Sequence, residues 1–185
     1  STIQRGAMLI FLDTETTGTA MDDRLCQIAF KNREGLVVDE LFNPGRPISI
    51  EAMAVHHITN EMVRDKPSFK DSPTYEQLKD LLAGRDNVLV AHNAKFDVGM
   101  LRKEGIQAPR TICTYKLIRF VDREGGIPQY SLQYLRYYLK LNIEAVPHSA
   151  LGDILVLEGL FNWISSKWQA DGADPVENMV QVSNT

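Results

Sequence analysis

Asp13 and Glu15 stand two residues apart in FLDTETTG (11–18), directly after the apolar run Leu9 to Leu12. Side chains two apart on a strand project to the same side, so an extended chain would aim both carboxylates at one point. The carboxyl ends of strands in open α/β sheets are where ligands gather. Two close carboxylates repel and tend to take up a proton. A divalent cation removes that difficulty, and carboxylate oxygens suit hard cations such as Mg²⁺. A turn with two solvated acids is the competing reading. A second segment, VAHNAKFD (90–97), repeats the grammar of buried strand, turn and acid. Its Asp97 falls in the first turn of a helix, where an acid also complements the helix dipole, and Asn93 reads as the helix cap. The third segment is PHSALGD (147–153). His148 and Asp153 are five residues apart and would diverge by about 140° on one helix. Pro147 biases the chain beside it towards extended structure, so His148 reads as loop-borne and Asp153 as lying on the helix beyond. A histidine in a loop can reach a water as a base; a plain surface histidine is the competing reading.

The elements that must hold these groups follow from periodicity. Residues 8–12 read as a short buried strand. RLCQIAFK (24–31) and LVVDELF (36–42) flank the turn NREG and read as a hairpin. Short helical turns follow over 51–58 and 59–66. A helix then opens at Pro73, carrying Tyr75, Leu78 and Leu82 on one face. NVLVA (87–91) is a second buried strand, followed by a helix that runs to Gly105. TIC (111–113) is a short strand, and helices are expected over 115–121, 131–140 and 150–166, the second capped by Ser131. A hairpin followed by alternating strands and helices makes an α/β domain: a mixed central sheet flanked by helices.

The chain has 185 residues, 44% hydrophobic and 24% charged, with a formal net charge of −4, which fits one soluble core. That charge excludes a broadly basic surface holding nucleic acid by charge alone; it leaves room for a local basic groove beside an acidic, metal-filled site. Cys26 and Cys113 form no metal-ligand spacing, which favours a reduced, cytoplasmic setting. No apolar run approaches the length of a membrane span. Residues 1–7 read as a leader foreign to the fold, 8–166 as the domain, and 167–185 as a polar tail or short helix. The shortness of that tail leans towards a free-standing protein.

DTETTG, AHNAKFD and HSALGD, in this order, resemble the three motifs of the DEDDh 3′→5′ exonuclease superfamily, which includes polymerase proofreading subunits. The resemblance covers residues 8–166. RPISIEAMAVHHIT (46–59) and ICTYKL (112–117) are similar to segments of its exonuclease X and proofreading branches. The resemblance implies an RNase H-like exonuclease fold with two divalent ions, Mg²⁺ or Mn²⁺ in its place. It implies that Asp13, Glu15, Asp97 and Asp153 are the metal ligands, with Asp13 bridging both ions. His148 would be the general base that takes a proton from the attacking water. The reaction would release nucleoside 5′-monophosphates from single-stranded or frayed DNA 3′ ends.

A nuclease acting at an end needs a pocket for one nucleotide. Thr16, Thr17 and Gly18 are expected at its rim: the family pattern has the threonines hold the 3′-hydroxyl, and Gly18 permits close approach to the sugar. His56 matches a pocket histidine of the proofreading relatives, with Met53 as an apolar neighbour; both also suit ordinary helix packing. Phe96 could stack on a base or sit in the core. His57 and His92 read as structural. Arg46, Lys95, Arg102, Lys116 and Arg119 are scattered candidates for backbone contact. Two other readings stay open: an exoribonuclease of the same fold, with RNA as partner, and a non-catalytic replication or repair module. A DNA polymerase is a further candidate partner.

Overall fold

The computed structural model describes residues 7–145, 149–168 and 174–185. Five strands, β1 (Leu9–Thr16), β2 (Leu25–Lys31), β3 (Val37–Leu41), β4 (Val88–Ala91) and β5 (Thr111–Cys113), form one mixed sheet in the order β3-β2-β1-β4-β5. β1 pairs antiparallel with β2 and parallel with β4, and β4 runs parallel to β5. Between β3 and β4 lie α1 (Ile50–His56), α2 (Asn60–Val63), a 3₁₀ turn at Phe69–Asp71 and α3 (Pro73–Ala83). The later helices are α4 (Ala94–Lys103), α5 (Thr114–Val121), α6 (Leu132–Tyr138), α7 (Ala150–Lys167) and α8 (Pro175–Ser183).

Alternation along β1 explains the two layers. Ile10 and Leu12 face one cluster with Phe30, Leu78, Leu82 and Leu101, so α3 and α4 cover that side. Phe11 faces the other, with Leu117, Leu135, Leu157 and Leu160 from α5, α6 and α7. By the same alternation Asp13 and Glu15 share the face of Phe11, beneath α7. Helix α7 is apolar nearly all round because it is buried, and Ala150 and Ile154 rest on Ala29, the β2 partner of Asp13. Small side chains at Ala29 and Ala150 let the first turn of α7 sit low on the sheet. Helix α8 packs Met179 into the same layer, and its Ser183 hydroxyl accepts from Cys113 N–H.

Three local expectations differ from the structure. β1 runs on through both acids to Thr16, because its ladder with β2 continues after the apolar run ends. Asn93 precedes α4 with φ of 63° and gives no side-chain cap; it is the left-handed pivot between β4 and α4, a conformation asparagine tolerates. Ser131 also precedes its helix without a side-chain cap. Among the described residues, no helix is long and apolar enough to cross a membrane.

Candidate active site

The site lies where β4 stops short of β1. The parallel ladder joins Leu9 to Val88, Ile10 to Leu89 and Phe11 to Val90, after which β4 turns away at Ala91. Asp13 and Glu15 therefore project beyond the end of β4 into a crevice. The first turn of α7 delivers Asp153 from above, and ligand oxygens of Asp13, Glu15 and Asp153 lie within 4.8 Å of one another. Ser149 fixes the start of that helix by accepting from Gly152 N–H at 3.0 Å.

Asp97 arrives from α4, in the opposite layer, and is not in that tight cluster. Its Oδ1 accepts from the Thr14 hydroxyl at 2.6 Å and the Thr14 amide at 3.2 Å. It is 4% exposed and close enough to act on the charge of Asp13 and Glu15. Burial, then Asp97, Glu15 and Asp153, holds the Asp13 carboxyl well above the usual carboxylate range. Burial followed by Asp153 and Asp97 pushes Glu15 up to about 7. Burial also pushes Asp97 up to about 7, against the opposing hydrogen bonds from Thr14.

Asp13 Oδ2 is buried and has no hydrogen-bond partner among the described residues. A buried orphan acceptor is rare and costly. Here it sits among three further carboxylates, a donor set of hard oxygens suited to a divalent cation. The residues present fit such an ion. His148 lies outside the described residues.

Beside the carboxylates opens a pocket of about 520 Å³, lined by Glu15, Thr16, Gly18, Ala52, Val55, His56 and Phe96 among others. Four of the six residues expected there, Thr16, Gly18, His56 and Phe96, thus stand on its wall. Thr17 does not: it is fully buried, and its hydroxyl donates to Asp23 Oδ1 at 2.6 Å while accepting from Arg24 N–H. Met53 packs instead against Cys26, Ile48 and Ile58. The Thr16 hydroxyl donates to the Gly18 carbonyl at 2.8 Å. A Cβ at Gly18 would also meet the Asp23 carboxylate at 2.5 Å, so the protein's own packing favours glycine there. Ile58 N–H donates to His56 Nδ1, so the proton sits on Nε2, which donates to the Thr16 carbonyl at 2.8 Å. Burial is the main cause that lowers the His56 pKa. The neutral ring braces the end of β1. His92 is similarly held between Thr114 and the Tyr130 carbonyl.

Gln133 escapes a reading by motif. Its Nε2 donates to Asp153 Oδ1 at 2.7 Å, while Arg136, one turn on, contacts Gln133 Oε1 and the carbonyls of Ile143 and Ala145. The signal is a polar pair, three apart, inside the otherwise aromatic and leucine-rich SLQYLRYYL.

Residues 10–161 match the RNase T-type exonuclease family. The chain belongs to this exonuclease family. It is 36% identical over 175 residues to Exodeoxyribonuclease 10 of Escherichia coli K12, covering 89% of this chain and 72% of that one. It is 34% identical over 165 residues to a DNA polymerase III subunit epsilon-like protein of Rhodobacter capsulatus, covering 82% of this chain but 23% of that longer protein. The solved structure of exonuclease X with 5′ overhanging duplex DNA superposes with a TM-score of 0.73 at 34% identity, covering 95% of this chain and 99% of that one. The RNase H-like exonuclease fold expected from the motifs is thus the fold of this chain. The family's use of divalent metal agrees with the acidic cluster at Asp13, Glu15 and Asp153.

Proposed function

We propose that the protein is a divalent-metal-dependent 3′→5′ exodeoxyribonuclease, releasing nucleoside 5′-monophosphates from single-stranded or frayed DNA ends. The observation that carries this is the buried orphan oxygen of Asp13 within a carboxylate cluster, beside a pocket of nucleotide size. Asp13, Glu15, Asp97 and Asp153 would hold two ions, Mg²⁺ with Mn²⁺ as substitute. Bound ions of this kind neutralise the phosphodiester and stabilise the attacking and leaving oxygens.

The chain's own residues do the rest. Thr14 orients Asp97 through two hydrogen bonds, and Gln133 orients Asp153. His56 fixes the Thr16 carbonyl, and so the pocket rim where the terminal nucleotide would lie. Phe96, half-buried and lining the same pocket, would stack on its base. His148, five residues before Asp153, would be the general base. The domain would span 8–166, followed by 167–185, whose α8 packs Met179 into the same core layer. The names of the relatives point to DNA ends as substrate and, through the epsilon-like protein, to a DNA polymerase as a partner.

The test is degradation of 3′-labelled and 5′-labelled single-stranded DNA, duplex DNA and RNA, with Mg²⁺ and with EDTA. Immediate release of labelled mononucleotide from the 3′ end, abolished by EDTA and strongest on DNA, is expected. Release from the 5′ end first, or equal rates in EDTA, would refute the assignment; faster attack on RNA would move the substrate class.

A further inference from the structure

Four of the five cations that the sequence offers for backbone contact line a single cavity of about 500 Å³. Helix α4 supplies Lys95 and Arg102, seven residues apart and so on one face, about 10 Å along the axis. Helix α5 supplies Lys116 and Arg119, one turn apart. Among the described residues no aspartate or glutamate lines this cavity, in a chain where acids outnumber bases 24 to 20. None of the four forms an ion pair among the described residues. Lys116 Nζ donates to the backbone oxygen of Thr185 at 3.3 Å, and Arg119 lies over the rings of Tyr115 and Tyr130. Arg46, the fifth, is instead neutralised by Asp22 and Asp23.

The cavity is continuous with the active site. A hollow of about 440 Å³ shares Thr19, Ala20 and Phe96 with the nucleotide pocket, and Asn93, Lys95 and Gly99 with the cationic cavity. Asn93, left-handed and making no side-chain cap, leaves the positive end of α4 facing the same space. A path therefore runs from the carboxylates, past Phe96, over the start of α4 and between α4 and α5.

We propose that this groove holds the phosphodiester backbone of the strand being degraded, a few nucleotides upstream of the 3′ end. The inference rests on the exonuclease reading for what lies in the pocket, and on the groove itself for where the strand goes next. Ammonium and guanidinium groups without internal partners bind phosphate by charge-assisted hydrogen bonds. An acidic peptide would be drawn to the same charge, but only a polynucleotide would also follow the path into the carboxylate site.

The test uses Arg102→Ala/Lys116→Ala, with Lys66→Ala/Lys70→Ala as a remote control losing the same charge. Binding of a fluorescent oligothymidylate is measured by anisotropy in EDTA across a salt series. Hydrolysis of the p-nitrophenyl ester of thymidine 5′-monophosphate and of a long oligothymidylate is measured with Mg²⁺. Two phosphate contacts on a single strand account for a log–log salt slope of about 1.4 and about tenfold in affinity at 0.15 M salt. The groove variant should lose that slope and that affinity, raise KM for the long strand, and leave ester hydrolysis unchanged. Arg102→Lys/Lys116→Arg should restore binding. Unchanged binding, equal weakening in the control, or loss of ester hydrolysis along with strand hydrolysis would overturn the groove. If the binding pattern appears but no form hydrolyses any substrate, the groove stands and the exonuclease reading falls.

Discussion

The carboxylate cluster makes the metal-free protein pay a pH-dependent cost, and Glu15→Gln isolates it. Glu15 moves from an ordinary 4.5 to about 7 on folding, through burial and then Asp153 and Asp97. A raised acid pKa means the folded state binds the proton more tightly than the unfolded chain. The contribution to stability is intact below about pH 4.5 and is lost as pH rises to about 7. Over those 2.5 units, at 1.36 kcal/mol each, the loss is about 3 kcal/mol. Glutamine keeps the shape and removes the charge. In EDTA, Glu15→Gln should match the parent at pH 4.5 and exceed it by up to about 3 kcal/mol at pH 8.5. Urea titrations followed by the fluorescence of Trp163 and Trp168, both half-buried, would measure the difference. Added Mn²⁺ at pH 8.5 should reverse the order, because a ligand that binds only the folded state stabilises it by mass action, and the variant has lost a ligand. A variant less stable than the parent at pH 8.5 in EDTA, or a difference that does not grow between pH 4.5 and 7, would refute the reasoning.

Three other outcomes follow from particular contacts. Gln133→Leu removes the hydrogen bond that orients Asp153; outer partners of this kind are worth about 10–100-fold in metal affinity, to be read by Mn²⁺ calorimetry. Gly18→Ala places a methyl group against the Asp23 carboxylate that Thr17 and Ala20 hold, and should lower the unfolding midpoint and raise KM for oligonucleotides; an unchanged midpoint and KM would show that the loop adjusts at no cost. His148→Ala should retain metal and single-strand binding while losing turnover, and near-normal turnover would reject it as the base.

The fold was legible because periodicity and burial agree in most segments. β2, β4 and α7 stand within a residue or two of their expected limits, and α3 opens at Pro73 as expected, since each buries apolar side chains at the period of its own secondary structure. The strand carrying Asp13 and Glu15 was expected to end at residue 12, because an apolar run is the only strand signal that hydrophobicity provides. Its extension to Thr16 depends on backbone pairing with β2, which no side-chain pattern reports. Asn93 shows the same limit. Its type announces a break between β4 and α4, but cap and left-handed pivot are chosen by the angle the chain must turn.

The site divides along a similar line. Acids inside a buried strand violate a local rule, and such violations are expected where function sits, so Asp13 and Glu15 stood out. Thr16 and Thr17 are adjacent and chemically alike, yet only Thr16 reaches the pocket, because Asp23 claims the Thr17 hydroxyl. What decides between them is a partner six residues away in a loop. The cations were legible singly and meaningless until α4 and α5 set them side by side. Together these features separate holding from cutting. The groove attracts a polyanion by the protein's own charge, whereas the four acids repel the terminal phosphate until a cation joins them. Metal-free protein should therefore hold a strand along α4 and α5 while its 3′ end stays unseated.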